Sequence, residues 1–368
     1  MDALVGVDPV SLTAVLQSGM TGPTVERALA GHGLTLGHYP QSFEYATVGG
    51  YAATRSSGQY SLGYGRFDEM VMKLRVATPT GTIEVGRAPR SAAGPDLRQL
   101  FLGSEGTLGI ITSVTVQVQR APAASLLESW TFDSFNAGLD AARQLVQSGF
   151  RPNMLRISDE QETAINALVE GRSAPPGSLA VVGYEHAQST REHAAITEFL
   201  QAQGACRSDN STAQAWQQSR FQAPYLRDAL LDAGVLVETL ETAAFWSQVP
   251  DLYAAVRLCL VEELSRQGTP PLVLCHMSHL YPAGAALYFT IACAQADDPI
   301  RQWQTAKAAA SREILAAGAT VTHHHGVGRD HAASLLEEVG SLAVESLRAV
   351  KARIDPVGIL NPGVLLSS

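Results

Sequence analysis

The segment Gly103-Ser104-Glu105-Gly106-Thr107-Leu108-Gly109-Ile110-Ile111-Thr112 decides how the rest of this sequence is interpreted. Its three glycines, at a spacing of three, allow tight turns and a close backbone approach to a flat or anionic ligand, because no Cβ atom interferes. Residues 113–119 alternate polar and apolar side chains, which predicts a strand. By itself the segment is more typical of an ordinary tight turn, so ligand binding needs a second indication.

That indication lies upstream, in residues 38–58, which are rich in glycine, serine, threonine and aromatic residues. A long surface loop is the ordinary interpretation of such a composition. Two glycine-rich segments on either side of a strand-rich region, however, favour two loops that hold one cofactor. The usual dinucleotide fold is excluded, because no Gly-x-Gly-x-x-Gly follows the first predicted strand.

Composition limits the classes of partner. The 368 residues are 46% hydrophobic and 17% charged, which is enough for two domains. A net charge of −9 without a basic run argues against nucleic acid and anionic membrane surfaces as main partners. Four cysteines without CxxC spacing predict free thiols in a reducing compartment. Because no apolar run reaches the length of a membrane span, we expect a cytoplasmic protein with at most peripheral membrane contact.

The two glycine-rich segments resemble the flavin-contacting loops of FAD enzymes with a PCMH-type flavin domain, the vanillyl-alcohol oxidase superfamily. Within it, the sequence from Gly31 to its end resembles the alkylglycerone-phosphate synthases. The most diagnostic piece is Thr322-His323-His324-His325-Gly326-Val327-Gly328, because FAD-linked lactate and glycolate dehydrogenases usually carry a Glu-His-Gly-type motif there.

The resemblance implies the α+β fold class and two domains. Residues 1–122 would be the C-terminal part of an FAD-binding PCMH-type domain. Residues 123–368 would be an α+β cap domain of the FAD-linked oxidase C-terminal type, whose tail, from about 332 to 368, returns to the flavin domain.

The cofactor implied by the resemblance is FAD, held noncovalently because the N-terminal segment offers no obvious residue for a covalent link. The residues expected to contact it come from three short runs of the two segments. They are Pro40, Gln41, Ser42, Phe43, Glu44, Tyr45, Ala46, Ala53, Thr54, Arg55, Ser56, Ser104, Glu105, Gly106, Thr107, Leu108, Gly109 and Ile110.

Three consecutive histidines, 323–325, can supply groups for proton transfer, since histidine titrates near neutral pH. The alternatives are a metal site, helped by His276-x-x-His279, or histidines that only hydrogen-bond in a turn. We expect no metal, because adjacent residues point in different directions and no carboxylate spacing accompanies them. By resemblance, His323, His324 and His325 are catalytic: they orient the substrate and move protons.

Tyr288 lies among apolar residues in a predicted strand, where a core tyrosine with a satisfied hydroxyl is the ordinary interpretation. The resemblance makes it the catalytic tyrosine, whose phenol shuttles a proton at the substrate carbon. We expect nearby imidazoles to lower the pKa of that phenol.

Two arginines are candidates for binding a substrate phosphate, which a guanidinium can hold bidentately. Arg156 interrupts an apolar strand, and a strand-edge charge is its ordinary interpretation. For Arg227 the alternative is an ion pair with Asp228 or Asp232 on a helix surface. The resemblance assigns Arg227 to the substrate phosphate and Arg156 to activity.

The reaction implied by the resemblance exchanges the acyl chain of acyl-dihydroxyacetone phosphate for a fatty alcohol in ether-lipid synthesis. The partners would then be a lipid-phosphate substrate and a fatty alcohol, with homodimer formation left open. Two other functions stay open: an FAD-linked 2-hydroxy acid dehydrogenase acting on D-lactate or glycolate, and an inactive flavin-fold scaffold.

The family's flavin domain begins with a small α/β subdomain whose glycine-containing loop wraps the FAD pyrophosphate. The sequence from Met1 to Asp8 matches a segment that follows this subdomain. We therefore expect a chain that lacks it to be largely flavin-free and poorly soluble when made alone, because diphosphate-binding amides and cover for apolar surface are lost.

Overall fold

A computed structural model describes residues 1–185 and 189–366, with the side chains of 189–191 left out. It divides into two compact units. Residues 1–121 and 324–368 form the first unit, and residues 122–323 form the second. Each unit combines helices with antiparallel strands, which confirms the predicted α+β class.

The N-terminal part of the first unit alternates short strands and helices. Its elements are β1 (Leu4–Asp8), β2 (Thr13–Gln17), α1 (Gly22–Ala30), β3 (Leu34–Thr35), α2 (Val48–Thr54), α3 (Ser61–Tyr64), α4 (Phe67–Met70), β4 (Val71–Thr78), β5 (Gly81–Val85), α5 (Arg98–Phe101), β6 (Ile110–Gln117) and β7 (Gln119–Arg120).

A five-stranded antiparallel sheet in the order β1-β2-β6-β4-β5 organises the first unit. Alternation along β6 buries Val114 and Val116 completely, as the period-2 pattern predicts. Helix α2 packs on β6 and β2 and contributes Val48 and Tyr51 to the same core. The sheet and α2 therefore fix the backbone that carries the two glycine-rich segments.

The second unit follows with longer elements. They are β8 (Ser125–Phe132), α6 (Phe135–Gln147), β9 (Met154–Ser158), α7 (Glu160–Val169), β10 (Ser178–Glu185), α8 (Ser189–Ala202), β11 (Cys206–Arg207), α9 (Ser211–Ser219), α10 (Ala223–Asp232), β12 (Val235–Phe245), α11 (Val249–Arg266), β13 (Leu272–Leu280), β14 (Gly284–Ala294) and α12 (Pro299–Ala316).

The described strands of the second unit form a seven-stranded antiparallel sheet, ordered β11-β8-β10-β9-β13-β14-β12. One face of β14 is fully buried through Leu287, Phe289 and Ile291, and the ring of Tyr253 on α11 stacks on Phe289. The opposite face of β14, which carries Tyr288, is only partly buried. The sheet is thus covered by apolar packing on one side and presents polar groups on the other.

The chain ends in the first unit with α13 (Ala332–Val339) and α14 (Ser341–Ile354). The pattern of His331 to Lys351 predicts a single helix, and this prediction is wrong. Gly340 interrupts it with φ +83°, a left-handed conformation that ends a helix at low cost only for glycine.

Two further predictions of local structure need correction. The sequence from Ala213 to Leu231 predicts one helix, but the structure has two. Pro224 lacks an N–H and occupies the first turn of α10, where that loss costs least. Residues 38–58 are not a continuous loop, since α2 lies within them and Thr47 caps its first turn. Among the described residues, no helix is both long and apolar enough to cross a membrane.

Candidate active site

A row of polar side chains crosses the partly buried face of the second unit's sheet. Tyr288 on β14 lies directly opposite His276 on β13 and opposite Glu241 on β12. His276 in turn pairs with Ser158 on β9, and Arg156 shares the face of Ser158 because strand side chains alternate. Residues distant in sequence are therefore brought into one line by strand register.

The rings of His276 and Tyr288 stack, with centroids 4.9 Å apart and planes inclined by 17°. Burial raises the pKa of the Tyr288 phenol, and the carboxylate of Glu241 raises it further, whereas a hydrogen bond with Thr239 and the charge of Arg156 act in the opposite direction. The expectation that imidazoles lower this pKa is wrong, because desolvation dominates. Tyr288 therefore carries its proton at neutral pH.

Glu162, on the first turn of α7, joins two members of the row. Its Oε1 lies 3.0 Å from Nη2 of Arg156 and 2.9 Å from Nδ1 of His276. Burial would raise the pKa of Glu162, but the charge of Arg156 and the contact with His276 hold it well below its usual range. Burial and the charge of Arg156 lower the pKa of His276. The cluster is thus a carboxylate, a guanidinium and a neutral imidazole.

Asp159 anchors this cluster from behind. Its Oδ1 accepts the N–H of Glu162 at 2.7 Å, and its Oδ2 accepts the N–H of Cys275 and the hydroxyl of Tyr253, both at 3.1 Å. Burial raises the pKa of Asp159 to about 6, although the hydrogen bond from Glu162 lowers it. The buried carboxyl ties the start of α7 to the residue that precedes His276.

His323 is held at the end of the second unit by a buried carboxylate. Both oxygens of Glu241 lie 2.8 Å from the N–H of His323, and one accepts the hydroxyl of Thr322 at 2.6 Å. The ring Nε2 of His323 lies 2.7 Å from the hydroxyl of Tyr281, and its ring stacks on His279 at 5.1 Å. His323 therefore sits in a hydrogen-bonded setting that can pass a proton.

His324 and His325 belong to the first unit, where their rings contact each other edge to face at 4.7 Å. Burial, and then the charge of His324, lower the pKa of His38 to about 3. Nε2 of the buried His38 lies 3.0 Å from Oγ of Ser56, in the second glycine-rich segment. His38, which was not among the predicted site residues, is thus a neutral polar group of the first unit.

The two glycine-rich segments meet within the first unit. The N–H groups of Gly103 and Glu105 donate to the carbonyls of Ala52 and Ala53, at 3.0 and 2.9 Å. Gly103 has φ +78°, and a Cβ there would lie 2.8 Å from Nε of Arg55. The close approach therefore requires glycine at this position.

The residues at this junction fit a polar cofactor. The hydroxyls of Ser57 and Ser104 are buried and have no hydrogen-bond partner among the described residues. Buried hydroxyls are normally satisfied, so two such groups on adjoining segments can bind a ligand that offers acceptors. FAD offers such acceptors on its ring and its diphosphate.

The carboxylate of Glu105 binds the backbone of the turn at residues 327–328. Its two oxygens accept the N–H groups of Val327 and Gly328, at 2.6 and 2.8 Å, and its backbone carbonyl accepts the side-chain amide of Asn361. Glu105 thus holds the turn that follows the histidine run. A direct contact between its carboxylate and FAD stays a prediction.

The remaining residues predicted to contact FAD occupy several environments. Ser56, Thr107, Leu108 and Gly109 are buried, and Oγ1 of Thr107 donates to the carbonyl of Ser104 at 2.7 Å. Arg55 forms an ion pair with Asp68 at 2.9 Å. The others are grouped by exposure: Pro40 is buried; Phe43, Ala46, Ala53, Thr54 and Gly106 are partly buried; Gln41, Ser42, Glu44, Tyr45 and Ile110 are exposed.

Arg227 lies outside the row. Its Nη2 is 2.6 Å from Glu238, and its Nη1 is 3.6 Å from Asp228, so one of the anticipated ion pairs is present. Glu238 pairs with Ile291, on the face of the sheet that carries the apolar packing. The substrate role of Arg227 stays a prediction.

Comparison with protein families identifies the architecture. The family described as "FAD linked oxidases, C-terminal domain" matches residues 121–365, and that described as "FAD binding domain" matches residues 1–86. The chain belongs to the FAD-linked oxidase family. The predicted combination of a flavin domain with an FAD-linked oxidase C-terminal domain is confirmed, and FAD is the cofactor of this flavoenzyme.

The individual proteins that the chain resembles include synthases and a dehydrogenase. Alkyldihydroxyacetonephosphate synthase of Trypanosoma brucei brucei is 31% identical over 393 aligned residues, covering 100% of this chain and 64% of that protein. A solved structure of an alkyldihydroxyacetonephosphate synthase superposes with a TM-score of 0.80 at 30% identity, covering 98% of this chain and 66% of the other. A probable mitochondrial D-lactate dehydrogenase of Danio rerio is 28% identical, covering 100% of this chain and 74% of that protein. The chain thus spans about two thirds of the length of the synthases it matches.

Sequence reasoning missed Asp159, Glu162, Glu241 and His38 as site residues. A signal existed for the first two, because an Asp followed three residues later by Glu is a helix-start pattern, and Glu162 is exceptional in being buried there. No local signal marks Glu241, whose role depends on register with Tyr288.

Proposed function

We propose that this chain replaces the acyl chain of acyl-dihydroxyacetone phosphate with a fatty alcohol, as an alkylglycerone-phosphate synthase would. The row of Arg156, His276 and Tyr288 on one partly open sheet face supports the proposal most directly. It combines a cation, a neutral imidazole and a protonated phenol, the groups that a charged ester substrate with a leaving carboxylate requires.

When bound, FAD supplies an electron sink at substrate carbon 1. Arg156 is a fixed positive charge, held through Nη2, and is suited to bind the substrate phosphate. Tyr288, whose pKa is raised by burial, can donate its proton to the departing carboxylate oxygen. His323, in the same unit and hydrogen-bonded to Tyr281, is suited to take up protons from the substrate carbon and the alcohol.

The exchange balances without an external oxidant or reductant. The ester C–O bond at carbon 1 breaks, and a new C–O bond to the alcohol oxygen forms. The hydroxyl proton of the alcohol ends on the released fatty acid or in solvent. Acid–base groups, rather than an electron acceptor, are therefore what the chain must provide.

The test is an exchange assay on the purified chain supplied with FAD. Acyl-dihydroxyacetone phosphate is incubated with ¹⁸O-labelled hexadecanol, and lipid products are analysed by mass spectrometry. We expect an ether product that retains ¹⁸O, one equivalent of released fatty acid and no lasting bleaching of the flavin. An FAD-loaded chain that forms no ether product would refute the proposal.

The similarity to a D-lactate dehydrogenase supports a second candidate, oxidation of a 2-hydroxy acid. In that case anaerobic addition of D-lactate or glycolate would bleach the flavin absorbance at once, and no alcohol would be required. The same preparation tests both functions, since one outcome needs two lipid substrates and the other a single hydroxy acid.

A further inference from the structure

We propose that Glu162 is a positioning residue that fixes the tautomer and ring orientation of His276 against Tyr288 while it holds Arg156 in the row. The catalytic meaning of this role rests on the proposed exchange reaction. The placement itself rests on contacts within the second unit.

Glu162 is a buried carboxylate, only 5% exposed. A buried carboxylate destabilises the fold unless cations and hydrogen-bond donors surround it. A single oxygen, Oε1, contacts both Arg156 and His276. One carboxylate oxygen thus binds both the cation and the imidazole, whereas an exposed ion pair needs only the cation.

The neighbours of Nδ1 determine the tautomer of the His276 imidazole. Nδ1 of His276 lies 2.9 Å from Oε1 of Glu162 and 3.0 Å from Nη2 of Arg156. Because the guanidinium can only donate and the carboxylate can only accept, these two neighbours favour opposite tautomers of the neutral ring. In the proposed arrangement Glu162 decides the tautomer, so that His276 donates from Nδ1 and keeps Nε2 as an acceptor, and Arg156 takes over as donor to Nδ1 only when Glu162 is removed. A carboxylate that binds one ring nitrogen in this way selects the tautomer and the ring plane. The selected plane is the one that lies nearly parallel to the ring of Tyr288.

Asp159 supports both Glu162 and the strand that carries His276. Asp159 accepts the N–H of Glu162 and also the N–H of Cys275, the neighbour of His276. One buried side chain therefore ties together the helix that carries the carboxylate and the strand that carries the imidazole. Such support keeps a reacting geometry within the narrow tolerance that catalysis needs.

The decisive measurement is the ¹⁵N spectrum of histidine in the full chain, with His276 assigned by its loss in His276→Gln. We expect the Nδ1–H tautomer in the unaltered protein and its loss in Glu162→Ala. Glu160→Ala, an exposed carboxylate of the same helix turn, is the matched control and should leave the His276 signals unchanged. Glu162→Gln keeps an acceptor and should restore the tautomer.

The second measurement is kcat of the exchange reaction in the Glu162 variants. Glu162→Ala should lower kcat of the exchange by about 10- to 100-fold, by analogy with carboxylates that orient metal-ligating histidines, with Glu162→Gln in between. A folded Glu162→Ala protein with unchanged ¹⁵N signals and unchanged kcat would overturn the proposal. If the unaltered protein shows no exchange, the proposed function fails, while the ¹⁵N result still decides the role of Glu162.

Glu162→Asp covers the case in which the alanine variant does not fold. Aspartate keeps the charge that balances Arg156 but is one methylene shorter, so its reach to Nδ1 of His276 is lost. We expect the Nδ1–H tautomer to be depleted and kcat to fall. An aspartate variant that matches the unaltered protein in both would also overturn the proposal.

Discussion

The imidazole of His276 lies nearly parallel to the phenol of Tyr288, 4.9 Å away and inclined by 17°, across adjacent strands. Burial and the charge of Arg156 lower the pKa of the imidazole, while burial raises that of the phenol. Both groups are therefore neutral at physiological pH, and the phenol holds the proton. This arrangement favours Tyr288 as a proton donor.

Replacing Tyr288 by phenylalanine removes only the hydroxyl, so the ring can still stack on His276. We expect folding to change little and the exchange rate to fall by about 10²- to 10⁴-fold, the usual contribution of general acid–base catalysis. Stopped assays of ether product measure the rate. Tyr64→Phe, in the first unit, serves as control, and a near-normal rate in Tyr288→Phe would make Tyr288 a core residue only.

Replacing both His324 and His325 by alanine should abolish exchange, because it removes two imidazoles that contact each other and can carry protons. The FAD content should be unchanged, since neither residue lies in the segments predicted to hold the cofactor. Cofactor released per chain and product formed are measured on the same sample. The exposed His32→Ala is the control, and surviving activity in the double variant would exclude the proton-transfer role.

Stability should depend on pH through Asp159. Its pKa is about 6 in the folded protein against 3.8 for an unperturbed aspartate, so the folded state binds the proton more tightly. Its stabilising contribution is therefore fully present below pH 3.8 and is lost as pH rises through 6, by on the order of 3 kcal/mol. Urea unfolding of the unaltered chain and of Asp159→Asn between pH 4 and 7 measures this, and parallel pH curves would contradict it.

The contact between Glu105 and the turn at residues 327–328 should be a stabilising one. Glu105→Gln replaces one of two acceptor oxygens by an NH₂ group that faces a backbone N–H. We expect a loss of about 1.5–3 kcal/mol in the free energy of unfolding, the range for hydrogen bonds to charged groups. Denaturant titration measures it against Glu44→Gln, an exposed carboxylate, and equal stability of the two variants would rule it out.

Local patterns in the sequence predicted many of the elements and missed others. Alternation between residues 113 and 119 predicted most of β6. Asp298-Pro299, a capping residue followed by a proline, likewise predicts a helix start, and α12 begins there. Strand β8 had no clear alternation, because four consecutive residues, Leu127–Trp130, are buried and include the charged Glu128. A pattern based on polarity cannot detect a strand in which a carboxylate is buried by its tertiary partners.

The sequence by itself determined the residue types of the candidate site: three histidines in a row, a tyrosine in a strand, an arginine in an apolar strand and two glycine-rich segments. These are local properties, and through family resemblance they also pointed to FAD. Only the tertiary structure decided which side chains meet. Strand register placed Tyr288 between His276 and Glu241, and α7 brought Glu162 to Arg156. Burial then reversed the expected direction of the Tyr288 pKa, because desolvation depends on neighbours that no local pattern contains.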